Sequence, residues 1–238
     1  MKPIASEKSF LGYIFPALLV MVIMFGGVLL SSTASIVEKN DKAFFRNFVS
    51  PTNSLVFLAA RYITDFIIVL FQLFIFFVIS LIFLEAKLFA SFSLPFILII
   101  VVSFFVLLGI LIGSIFNTEE GGVLFSLIIT SIMLFFSNTI LPLENMNIMI
   151  QKMAKFNPFV LAENALRKSI IYDVGLMFMW KELLLMTIWI VTVAVAVLIK
   201  SNFNIFNFER KGKIRKGKEK RKKINLKEKI KNIVFTEE

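Results

Sequence analysis

Residues 136–167 read FSNTILPLENMNIMIQKMAKFNPFVLAENALR, and the reading of this stretch decides the fold. An apolar run enters it from upstream and breaks off at Pro142. Hydrophobic, helix-periodic character then persists through a segment too polar to cross a bilayer, which an ordinary loop would not do. Met146, Met149, Ile150 and Met153 recur at i, i+3, i+4 and i+7, with Gln151, Lys152 and Lys155 facing away, so the spacing predicts a short amphipathic helix. Asn157 and Pro158 interrupt it, because the residue before a proline is pushed out of the helical region. A second short helix is predicted through Glu163 to Ile171, where Glu163 and Arg167 stand four apart in the favourable acid-first order. On periodicity alone the segment is a lid that packs, since methionine-rich stripes are usually core or interface.

The rest of the chain places this segment in a membrane. Of 238 residues 58% are hydrophobic and 29 are Phe, a composition close to that of multi-span membrane proteins. A hydrocarbon core of about 30 Å takes about 20 helical residues. Five stretches satisfy this: Tyr13 to Ser35, Phe66 to Leu84, Leu94 to Phe116, Gly121 to Leu143 and Leu183 to Ile199. The second is expected to reach back to Tyr62, and the last to extend by a turn over 180–200, with Trp180 and Lys181 as interfacial anchors and Lys200 at its other end. The predicted fold is an all-α integral membrane protein, with a transmembrane domain over 1–200 and a polybasic tail over 201–238. The first span is too long for the apolar region of a signal peptide and is read as retained. There is no His and no Cys, which excludes a histidine base, a thiol nucleophile, a His or Cys metal site and a disulfide.

Charge sets the expected orientation. Residues 200–238 carry 14 Lys or Arg against 5 Asp or Glu, so nearly all of the net +10 lies in the tail, which is placed in the cytoplasm. Lys39, Lys42 and Arg46 then lie inside, and Lys87, Lys152, Lys155, Arg167, Lys168 and the N-terminus outside. The run Arg210 to Lys223 favours anionic lipid headgroups at about 1 kcal/mol per cation, and basic composition alone does not select nucleic acid, an unlikely partner here. Within the spans charge is nearly absent, which argues against a proton relay. Asp65 follows Arg61 by four residues and reads as an interfacial ion pair. Gln72 and Asn138 read as interhelical hydrogen-bonding groups, and Gly109 with Gly113 forms a GxxxG pair.

Between the first two spans lies EKNDKAFFRNFVSP, Glu38 to Pro51. Phe44, Phe45, Phe48 and Val49 fall at helical spacing opposite the charges, with Pro51 as a stop, so a short helix at the cytoplasmic surface is predicted. It either rests on headgroups or presents a surface to a soluble partner. Here the sequence resembles a known family, the membrane (permease) subunits of type-2 ABC exporters. Their inner loop typically reads Glu-Arg-Glu-x-Gly-Thr-x-x-Arg-Leu-x-x-Ser-Pro, matched at Glu38, Lys39, Arg46, Ser50 and Pro51, with Lys42 and Ala43 at the usual Gly and Thr. The outer signature is matched by Ser137, Pro142, Leu143, Glu144, Met146, Asn157, Pro158, Glu163 and Arg167, with Asn138 and Asn147 at the usual Gly and Pro.

The resemblance covers roughly Phe10 to Lys200. It implies a permease that pairs with a second copy, homo- or heterodimeric, above two separate cytoplasmic ATPase subunits that hold the ATP. It makes Glu38 to Pro51 a coupling helix docked on the ATPase, and Pro142 to Ile171 a pair of re-entrant outer helices over the exit path. The chain itself carries no phosphate-binding Gly-x-x-x-x-Gly-Lys-Ser/Thr loop and no cofactor site is expected. The family usually has six spans, and the first span here resembles the second of the family, so a late start is the expected reason. The other readings are an insertase-like assembly factor that binds ribosomes or lipid through the tail, and a membrane enzyme, for which no span carries a carboxylate pair. The Phe-rich interior tilts the expected cargo of a plasma-membrane exporter towards hydrophobic or amphipathic molecules.

Overall fold

A computed structural model describes residues 10–40, 54–83, 92–137, 139, 147–173 and 175–201. Among these every regular element is helical: α1 (Phe10–Asn40), α2 (Ser54–Phe83), α3 (Leu94–Ile115), α4 (Glu119–Phe135), α5 (Ile148–Ala154) and α6 (Pro158–Ile170), then a 3-10 turn, Leu176–Met179, and α7 over 180–201. Four of them are long and apolar enough to cross a membrane: α1, α2, α3 and the turn with α7. The chain divides into two units at Val197, and only 198–201 of the second are described.

The helices differ in how much of their surface is covered. The most apolar window of α3 is 78% buried, against 22% in α2 and 17% in α7, so α3 and α1 form the centre and α2 and α7 present broad apolar faces outward. Lipid tails are as apolar as leucine, so close packing rather than water exclusion must hold such helices together. The sequence supplies it with small residues. A Cβ on Gly109 would come within 2.7 Å of the Ser31 Cβ and the Val28 carbonyl, and one on Gly113 within 2.7 Å of the Ser32 carbonyl. The GxxxG pair is thus the seam along which α3 lies against α1. Cross-links between helices are sparse: Ser126 donates to Ser32 at 3.0 Å and Tyr62 to Ser103 at 2.8 Å. Such bonds average about 0.6 kcal/mol within membranes, so register rests on the glycine seam more than on them.

Several boundaries differ from the sequence-based expectation. The second helix begins at Ser54, well before Tyr62 or Phe66, because Leu55 to Ala60 is continuously apolar and Arg61 and Asp65 pair within the protein. The fourth ends at Phe135, short of Leu143, and its 17 residues span about 25 Å, less than a full crossing. Its early end has a physical cause at Asn157, described below. The helix expected from Glu163 begins at Pro158, with Asn157 as its N-cap. The extra turn expected on the last span is present. Phe44, Phe45, Arg46, Phe48, Ser50, Pro51, Asn138, Pro142, Glu144, Met146 and the tail from 202 lie outside the described residues.

Substituting Gly113 by Ala is expected to destabilise the protein by about 1–3 kcal/mol, because backbone atoms and not a movable side chain end receive the new methyl. Gly175→Ala, with nothing within 4 Å of its added Cβ, serves as the control that leaves thermal unfolding in detergent unchanged.

Candidate functional site

Two polar constellations stand at different levels of the bundle. The first is where α1 leads into residues 41–53. Glu38 and Lys39, expected on a surface helix, instead belong to the last turn of α1, because their side chains find partners inside the protein. Arg61 joins Glu38 to Asp65: its Nη1 lies 2.6 Å from the Glu38 carboxylate and its Nε 3.0 Å from that of Asp65. The expected Arg61–Asp65 pair therefore exists, but Asp65 is buried and the pair is shared with a third group. Lys39 donates to the carbonyls of Ser114 and Phe116, and Asn40 to that of Asn117, all at the corner between α3 and α4.

Above this end an open groove of about 900 Å³ runs between α1 and α2, lined by Phe25, Leu29, Thr33, Val37, Arg61 and Gln72 among others. Gln72 lies across Gly26, where an added Cβ would meet its amide oxygen at 2.4 Å. Expected as an interhelical hydrogen-bonding group, its amide instead bonds to no other described residue, since the backbone it lies on is already helical.

The second constellation is built around Asn157. Its φ of −65° and ψ of 123° place it outside the helix, as the following proline dictates, and its Oδ1 accepts from the Phe159 amide at 3.0 Å. Its Nδ2 donates to the Met133 carbonyl at 2.6 Å and to that of Phe136 at 3.2 Å. One side chain thus starts α6 and terminates α4. The last carbonyls of any helix lack intrahelical partners, and among apolar neighbours they must find them in the protein. Trp189, about halfway along α7, donates from its indole to the Phe156 carbonyl at 3.1 Å and stacks edge-on against Phe104, about halfway along α3. The hinge between α5 and α6 therefore lies level with the middle of the long helices.

From that hinge α6 runs back towards the N-terminal end of α3, where Ser169 and Ser93 are hydrogen-bonded at 2.9 Å. Lys168 bridges to Glu182 of α7 at 2.6 Å. Glu163 is buried, pairs with Arg167 as its spacing predicted, and accepts from Thr139 at 3.1 Å. Most of α6 is buried, including Phe159, Ala162 and Leu166, so it is core and no superficial lid. The α5 stripe behaves oppositely. Met149 and Met153 are largely exposed while Ala154 is buried, so the methionines face away from this chain. Neither Thr139 nor Trp189 stood out in the sequence; Asn157 did, as a breaker, with no sign that it caps a helix twenty residues upstream.

The sequence profile of the ABC-2 type transporter family matches residues 3–171. The chain belongs to that family. The match runs from before α1 to the residue that follows α6, and so takes in both constellations except for Glu182 and Trp189. No curated protein and no solved structure matches the chain. As an ABC-2 permease it is a transport subunit of a multi-pass membrane protein, without an ATPase domain, and permeases of this family generally work with ABC ATPase subunits. Membership decides for transport over the insertase-like and enzymatic readings.

Asn157→Asp separates the two roles of this ABC-2 permease residue. Aspartate caps α6 as well as asparagine does but cannot donate to Met133 and Phe136. The variant is expected to lose about 1–3 kcal/mol, the cost of stranding buried acceptors, and to melt nearly as early as Asn157→Ala. Melting at the wild-type temperature would mean that the carbonyl cap contributes nothing.

Proposed function

We propose that this chain is the permease half of an ATP-driven exporter in the plasma membrane, working with a second permease copy and with separate ABC ATPase subunits that bind the ATP. One observation carries the reading: the hinge at Asn157 lies level with the middle of the long helices, and α6 runs from it to the end of the bundle opposite the one where α1 leads into the segment that bears the coupling motif. A transporter driven from one side and opened on the other needs such an arrangement. In this reading α5 and α6 are re-entrant outer helices, entered through Pro142, Glu144 and Met146 and held by Asn157, Pro158, Glu163 and Arg167. Irregular backbone at that depth is tolerable because protein surrounds it. The chain crosses five times over 1–200, with α4 as a shortened crossing, and the C-terminus lies in the cytoplasm.

The loop Asp41 to Pro51 docks in the ATPase through Phe44, Phe45 and Phe48, with Arg46, Ser50 and Pro51 completing the motif. The tail over 201–238 lies against anionic headgroups. The cargo is hydrophobic or amphipathic, in keeping with an interior lined by apolar side chains and with the groove beside Phe25, Leu29 and Thr33.

Changing Phe44, Phe45 and Phe48 together to Asp is expected to abolish co-purification of the ATPase subunit while the permease still reaches the membrane. Retention of the ATPase at the wild-type ratio would remove the docking role from these residues.

A further inference from the structure

The groove between α1 and α2 follows α1 from Phe25 to Glu38. At 1.5 Å per helical residue that stretch is about 20 Å long, and half of a hydrocarbon core is about 15 Å. The chain turns polar at Glu38, Lys39 and Asn40, which puts that end of the groove at headgroup level and its other end near mid-bilayer. The groove thus has the depth of one lipid leaflet. Phe25, Leu29, Leu30 and Val37 make its length apolar, and its charged groups, Glu38 and Arg61, are gathered at one end. The most apolar window of α2, which forms one wall, is only 22% buried, so the groove opens towards lipid. Apolar space open to hydrocarbon does not stay empty, because a void forfeits the contacts that a lipid chain supplies.

The charged end is only partly satisfied. Glu38 gives its Oε2 to Arg61 at 2.6 Å, is 40% exposed, and bonds through its Oε1 to no described group. Arg61 spends Nη1 on Glu38 and Nε on Asp65, and its Nη2 is buried with no partner among the described residues. An acceptor and a donor are therefore left over, side by side, at the mouth of an apolar slot.

We propose that this groove binds a phospholipid with an ethanolamine headgroup: one acyl chain lies along Phe25, Leu29 and Leu30, the phosphate takes Arg61 Nη2, and the ammonium donates to Glu38 Oε1. Both headgroup bonds are charge-assisted, and the guanidinium fork fits phosphate. A change of rotamer at Arg61, a long side chain, brings Nη2 to the phosphate. A choline headgroup has no N–H to donate, and an anionic headgroup sets a further negative charge against Glu38 and Asp65. The inference takes further the reading of this groove as a place for amphipathic molecules, on which it rests.

The full chain is purified in detergent, stripped of lipid and titrated separately with dioleoyl phosphatidylethanolamine, phosphatidylcholine and phosphatidylglycerol, with bound lipid per chain read by native mass spectrometry. The ethanolamine lipid is expected to bind about threefold or more tightly than the choline lipid, as a partly screened ion pair allows, and the glycerol lipid most weakly. Glu38→Gln is expected to bring the ethanolamine and choline lipids to equal affinity. Arg61→Lys, which keeps the charge and loses the fork, is expected to weaken both alike. Ala34→Phe, on the groove wall one turn from Glu38, fills the slot and is expected to remove all three. Thr33→Phe is read by the same rule if that variant does not fold.

Equal affinities for the ethanolamine and choline lipids in the wild type, or a preference that survives Glu38→Gln, overturn the headgroup recognition and leave the amphipathic reading of the groove standing. Tightest binding of the glycerol lipid overturns it as well, since Arg61 alone would then set the site. Affinities unchanged in Arg61→Lys overturn the phosphate contact. Binding unchanged in the groove-filling variants means that the lipid is held elsewhere on the chain, and overturns both the inference and the reading beneath it.

Discussion

A helix that stops among apolar neighbours leaves carbonyls that no water will reach, and the part of this protein that holds α5 and α6 is organised around one answer to that constraint. The Asn157 amide supplies two donors to the end of α4 and one acceptor to the start of α6. Because those three bonds come from one short side chain, the two helix ends are brought within a few ångströms of each other, and the position of the hinge follows. Trp189 then takes the neighbouring Phe156 carbonyl, so that the irregular backbone around the hinge has partners on two sides. Buried Phe159, Ala162 and Leu166 bring α6 into the core beside α1 and α3.

The end of the bundle that holds Glu38 and Lys39 solves a different problem. Charged groups close to lipid are costly unless paired, and here they are joined to one another and to helix-end carbonyls. Arg61 serves two carboxylates and Lys39 two carbonyls. Of these charged groups Asp65 is buried while Glu38 is 40% exposed, so solvent screens the set and it contributes less than a fully buried ion pair would. Between the two lie a core of large apolar side chains, Leu19, Ile23, Phe104 and Phe105 among them, and the glycine seam between α1 and α3.

What could be read from the sequence follows from how local each cause is. The long helices were legible because hydropathy is a property of a contiguous run, and the Glu163–Arg167 and Arg61–Asp65 pairs because their partners lie one turn apart. Asn157 with Pro158 was legible as a break for the same reason. The end of α4 was not, since Ile140 and Leu141 keep the run apolar and the capping side chain comes from more than twenty residues downstream. Glu38 and Lys39 were misplaced for a like reason. EKND reads as the polar start of a surface helix, and only Arg61, Ser114 and Phe116, far along the chain, show that Glu38 and Lys39 belong to the last turn of α1. Phe44, Phe45 and Phe48 were legible only as a helical periodicity, and the docking role proposed for them comes from the resemblance.

The shortness of α4 also bears on the lipid around it. Its outward face, from Leu124 through Ile128 and Ile132 to Phe135, is apolar and exposed, yet its 17 residues make it about 25 Å tall, beside an α2 of 30 residues. Along this face the apolar height of α4 falls short of a bilayer of ordinary thickness, so that lipid against it must thin or another surface must cover the difference. The cap that ends one helix early thereby sets the lipid contact that this face can make.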